Sequence, residues 1–138
     1  MKRLGISISI LLLCITLYGC SKEHTEMDVI SSHNATADNW YELDIIVIVD
    51  KDTASNKDTC SKEIIQHILD NDFHSTRFSF DINGYPNNVS VDVFTSEKNA
   101  QKGKEAYSFE YVTEFNTENP DVQNNIKDNP GEFEIQYE

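Results

Sequence analysis

At 138 residues the chain has room, once a leader is removed, for one domain of ordinary size and not for two. Its 11 Lys and Arg against 24 Asp and Glu give a formal net charge of -13, which excludes a nucleic-acid binder by composition, because a footprint on phosphates needs clustered basic residues. Hydrophobic content of 38% with 10% aromatics suffices for a modest core and excludes a wholly disordered chain.

Residues Met1 to Cys20 carry the strongest signal. Lys2 and Arg3 precede an apolar run from Leu4 to Tyr18, relieved only by small and hydroxyl residues, and Gly19-Cys20 closes it. This is the pattern of a signal peptide, too short for the ~20 apolar residues of a spanning helix. Leu17-Tyr18-Gly19-Cys20 resembles the lipobox of bacterial lipoproteins, a likeness confined to residues 1-20. The resemblance implies cleavage after a 1-19 leader and acylation of Cys20 with fatty chains such as palmitate. It also implies a lipid-anchored place in the bacterial cell envelope. Two or three acyl chains, at about 0.8 kcal/mol per buried methylene, make a firm anchor. In a Gram-negative cell, Ser21 resembles the signal that sorts such proteins to the outer membrane, facing the periplasm.

Processing leaves Cys60 as the one free cysteine of the mature chain, since Cys14 departs with the leader and Cys20 takes lipid, so no internal disulfide can form. Nine basic residues then face 24 acidic ones, a balance of -15.

Residues 20-39 comprise the lipidated cysteine and the polar stretch Ser21 to Asn39, which has no apolar periodicity and reads as a flexible tether. A small domain over 40-115 follows. Tyr41, Leu43, Ile45, Val47 and Val49 alternate with Glu42 and Asp44, while Ile46 and Ile48 fill the second face, as in a strand central to a sheet. After the polar loop Asp50 to Lys57, Asp58 or Thr59 caps a helix running to about Asn71, with Cys60, Ile64, Ile65, Ile68 and Leu69 on one face. Arg77 to Ile82 and Val89 to Val93 alternate around Asn83-Gly84-Tyr85-Pro86-Asn87-Asn88, which reads as a β-hairpin with Tyr85 and Pro86 at its tip. The loop Thr95 to Glu105 holds Lys98, Lys102 and Lys104, and Tyr107, Phe109 and Tyr111 mark a further strand. Residues 116-138 form an acidic polar tail, with Asn116 to Gly131 as a long loop or partly disordered segment and Phe133, Ile135 and Tyr137 in a short edge strand. The fold class is therefore α+β: a two-layer sandwich, one helix on a mainly antiparallel sheet of four to five strands, in the order β-α-β-β-β.

Chemistry is harder to place. His24, His33, His67 and His74 lack the close spacing of a zinc site, and Asp50 to Asp58 lacks the Gly and terminal Glu of an EF-hand, with Ser55 and Ser61 in their places. Cys60 in the first helical turn could feel the helix dipole, but it leads the apolar stripe and reads as core. No phosphate loop, serine elbow or zincin helix is present. These features predict no catalytic residue, metal or cofactor. The expected function is a non-enzymatic protein-binding module, either an accessory subunit of an envelope, secretion or conjugation system or a protective inhibitor or exclusion protein. Trp40, Tyr85 and Pro86 are its candidate binding residues, and its partner an envelope or incoming protein, basic enough to be steered by the acidic domain. The rival reading is a small-ligand carrier or an enzyme with a site near Cys60 and His67.

Overall fold

The computed structural model describes residues 26–138. The expected leader, the acylation of Cys20 and His24 lie outside them.

The chain enters on β1 (Asp28–Ala37) and turns at Asp38-Asn39 into β2 (Trp40–Ile48). The closing pair Ala37 and Trp40 leaves a two-residue turn, and Asp38 takes a left-handed φ of 52° that Asp and Asn tolerate better than most residues. β1 lies inside the stretch expected to be a tether, and the correction has a physical reason. β1 is an edge strand in which only Val29 is buried, so its pairing with β2 rests on backbone hydrogen bonds and leaves no alternating apolar pattern to read. A bulge between Val29 and Ser31 lets Val29 reach the core while the rest of the strand stays wet.

Beyond β2, a single turn α1 (Lys51–Ala54) leads into α2 (Lys57–Asp70). Asp50 caps α1, accepting from the Asp52 and Thr53 amides at 2.9 Å, and Asn56 caps α2 by accepting from the Thr59 amide. α2 ends at Asn71, left-handed at φ 53°, whose side chain also pairs with both backbone groups of Phe78. Cys60, Ser61, Ile64, Ile65 and Ile68 form its buried face.

The return segment carries the main departure from expectation. Arg77 to Ile82 forms no strand, because the next strand, β3 (Asn88–Phe94), pairs parallel with β2 itself and leaves no position between them. A parallel neighbour needs a crossover, and α2 with residues 71–87 supplies it. Within that crossover, Phe73 meets Phe78 edge to face at 6.3 Å between centroids, and Phe78, Phe80 and Tyr85 stack in sequence with centroids 5.3 and 4.5 Å apart. The alternation that imitates a strand thus serves an aromatic stack, while Ile82, on the single turn α3 (Phe80–Asn83), is 78% exposed. Gly84, at φ 74°, ends that turn in a conformation a side chain would resist.

β3 leads through a short helix α4 (Glu97–Gln101) to β4 (Tyr107–Val112), and the chain closes on β5 (Glu134–Tyr137). The strand order is β1-β2-β3-β4-β5, antiparallel except for β2 and β3. The fold is a two-layer α+β sandwich, with α2 covering one face of a five-stranded mixed sheet. The core lies between them, where Leu43, Val47, Val89, Val91, Val93 and Phe109 meet the helix.

The stretch read as a loop or partly disordered tail is tied to the domain. Ile126 is fully buried and its amide donates to the Pro86 carbonyl, while the Asn87 side chain accepts from the Tyr41 amide and donates to the Asn124 carbonyl, both at 2.6 Å. One apolar anchor and a set of Asn and Gln hydrogen bonds hold a segment too polar to build its own core.

Candidate binding surface

Strand alternation gives the sheet a second face that α2 does not cover. Register assigns to it Ser31, His33 and Ala35 of β1, and Glu42, Asp44 and Ile46 of β2. Asn88, Ser90 and Asp92 of β3, Ser108, Glu110 and Val112 of β4, and Glu134 and Gln136 of β5 continue its rows. The row at the far end of β2 and β3, Ile48 with Phe94, is buried, so the exposed part of the face is the stretch before it. Glu138 extends this face, its amide donating to the Ser108 carbonyl. Among the described residues, six carboxylates thus share one face, and no strand carries a Lys or Arg. Asp92 sits among them, and burial, together with the negative charges of Glu138 and Asp44, pushes its carboxyl above the usual range. Asn88, on the same face, has a side-chain carbonyl oxygen that is shut from solvent and has no hydrogen-bond partner.

At the end of β2 that follows the hairpin turn, the half-buried Trp40 donates from its indole nitrogen to Glu42 at 3.0 Å, and its ring lies 5.4 Å from that of Phe115. Phe115 is 49% exposed and separates two hollows. The smaller, about 390 Å³, is shared by Trp40, Asp38, Pro120 and Asp121. The larger, about 810 Å³, is lined by Glu114, Glu118, Glu132 and Glu134 and runs onto the open face through Val112 and Gln136. An aromatic pair in a polar, negatively charged setting is the composition of an interface anchor with a charged rim.

The other candidates fall elsewhere. Pro86 is buried and Tyr85 stacks on Phe80 beneath Lys127, whose ammonium is 4.5 Å from the ring centroid, so neither stands at an exposed hairpin tip. Their turn-forming composition instead admits β3 to the sheet beside β2.

Cys60 is fully buried, and burial raises its thiol pKa even though a hydrogen bond with Tyr107 opposes the shift. His67 lies seven residues on, about 10 Å along the helix axis, and its Nδ1 is 2.6 Å from Asp72. The two do not meet. Around the start of α2, Ser61 donates to Tyr107, Tyr137 donates to Asp58, and Lys57 lies 5.4 Å from the Tyr107 ring centroid, a polar seam tying helix to sheet. His33 is on the open face and His74 is exposed beyond α2. Among the described residues, no group of three or more His, Cys, Asp or Glu could hold a metal ion.

Compared with known proteins, the chain matches no family model, no curated protein and no solved structure.

The acidic face was partly legible. Glu42-Asp44, Ser90-Asp92 and Ser108-Glu110 each alternate with core residues, so each strand's polar side could be read. That these sides join into one surface with Phe115 and Glu138 depends on strand order, which no local pattern states.

Proposed function

We propose that this chain is a lipid-anchored protein of the bacterial envelope and a non-enzymatic protein-binding module. It serves as an accessory subunit of an envelope machine or as a protective or exclusion protein. The observation that carries this reading is the uncovered sheet face flanked by the Trp40 and Phe115 rings. Seven residues separate Cys20 from Asp28, and the eight steps from one to the other span at most about 29 Å of extended chain. A membrane anchor at Cys20 therefore keeps the domain near the lipid surface and presents the face to other envelope proteins.

Two experiments test it. Palmitate labelling and membrane fractionation of the full chain are both lost on Cys20→Ala if Cys20 carries the anchor. Retention of label and membrane association would defeat that assignment. Capture of a stoichiometric partner from native envelope is lost on Trp40→Ala with Phe115→Ala and unchanged by Cys60→Ala. Loss with Cys60→Ala, in a chain whose circular dichroism is unaltered, would favour the rival site near Cys60 and His67.

A further inference from the structure

We propose that the open sheet face is a docking surface for the basic face of another protein, with Glu42, Asp44, Asp92 and Glu110 at its centre. This rests on the binding-module reading above and names the partner's chemistry. The first support is the distribution of charge. All eight Lys and Arg among the described residues lie on helices or connections, while six carboxylates share the uncovered face. A sheet that only needed solubility would be served by both signs, because interspersed Lys and Glu keep a surface wet without a large field of one sign.

The second support is spacing. Neighbouring strands lie about 4.8 Å apart and same-face residues about 6.8 Å apart along a strand, so these carboxylates form a grid and not a cage. Ser90 stands between Asp44 and Glu110, and Asn88 follows Glu42 across the β2–β3 pair. A divalent cation needs several oxygens converging on one point, and no such group forms among the described residues. Separate lysine and arginine side chains from a protein surface can each meet one carboxylate of the grid.

The third is what the face lacks. Ile46 and Val112 are partly exposed among the acids, so docking would exclude water around the charges and strengthen each pairing. Burial first, and then the nearby charges of Glu138 and Asp44, raise the Asp92 pKa, and an incoming cation would offset both.

The test uses the full chain in a non-ionic detergent and a fluorescent lysine decapeptide as probe, at low and moderate salt. One variant neutralises the face with Glu42→Gln, Asp44→Asn, Asp92→Asn and Glu110→Gln. A control removes equal charge from exposed helix and loop positions with Glu63→Gln, Asp70→Asn, Asp81→Asn and Glu105→Gln. The face variant is expected to bind about tenfold or more weakly and the control within about twofold of the parent, with binding in the parent falling as salt rises. Equal losses in both variants, or no binding by the parent at low salt, would overturn the proposal. Capture from native envelope separates the two levels of inference. A partner kept by the face variant but lost on Trp40→Ala with Phe115→Ala would overturn the basic partner and leave the binding module standing. A partner kept by both would overturn both.

Discussion

The two faces of the sheet are written by alternate residues of the same strands, yet they answer to different demands. On the helix side, Leu43, Val47, Val91 and Phe109 are nearly or fully buried against α2. On the other side, Glu42, Asp44, Asp92 and Glu110 are partly or fully exposed and α2 does not cover them. Burial of apolar area holds the first face together, and its contribution depends little on pH or salt. The second gives up some stability through like-charge repulsion, and it gains a field that reaches beyond contact distance. The difference teaches that the strand period of two can place a packed apolar face and a charged face on one element.

The contrast is broken most severely from the helix side. Ile68→Ala removes a fully buried side chain and is expected to cost about 2–5 kcal/mol in denaturant unfolding, whereas Asp44→Asn on the open face should lie within about 0.5 kcal/mol of the parent. Next in size, Asn87→Ala leaves the buried Tyr41 amide without its acceptor and releases the Asn124 carbonyl. A loss of about 1–3 kcal/mol is expected, with hydrogen exchange rising first in residues 113–133. Exchange that stays uniform would show that this segment does not depend on that tie.

Two carboxylates sharpen the comparison through pH. At Asp28 burial favours the neutral acid, but hydrogen bonds from the Ser75 hydroxyl and amide and from Val29 prevail and hold the carboxyl below its ordinary range. A group with a lowered folded pKa stabilises above its unfolded value, and that stability is lost as pH falls through the folded value. Ser75→Ala should therefore cost roughly 0.5–1.5 kcal/mol at neutral pH and shrink the difference in acid, measured by urea midpoints at each pH. Asp92 has the opposite sign. The folded chain holds its proton more tightly than the unfolded chain does, so its penalty is present at neutral pH and is relieved as pH falls through the raised folded value. Asp92→Asn should stabilise the neutral protein by a few tenths of a kcal/mol, in the range of cross-strand pairs, and remove that part of the pH slope. A destabilised Asp92→Asn would mean that this carboxylate makes a structural contact more favourable than its repulsions.

Cys60 extends the same comparison to reactivity. Buried with a raised pKa, it should resist a thiol reagent in the native chain and react at the rate of unfolding, whereas a fast native reaction would favour the rival enzyme reading.

Much of the fold was legible because apolar periodicity and burial coincide in β2, α2, β3 and β4. Helix positions Cys60, Ile64 and Ile68 and strand positions Leu43, Val91 and Phe109 show their roles in their spacing. The failures have the same root. β1 is polar because an edge strand needs no buried side, and its pairing runs through backbone groups that every residue carries. Phe78, Phe80 and Ile82 alternate like a strand, but Phe78 and Phe80 stack around the end of the crossover and Ile82 faces water. Residues 116–131 are polar apart from the exposed Val122 and the prolines and glycine, and a single buried Ile126 cannot announce itself by periodicity.

The sequence by itself determined the strong acidity, the lipobox-like Leu17 to Cys20, the amphipathic α2 and the alternation of the central strands, because composition and local spacing are properties of the linear chain. Only the tertiary structure decided that β3 lies parallel beside β2, that β1 and β5 close the two edges, and that the outward acids of β2 to β5 share one uncovered face. Strand order joins residues tens of positions apart. It is set by which packing of α2 buries the most apolar surface while pairing the most backbone groups, a balance over the whole domain that no single segment contains.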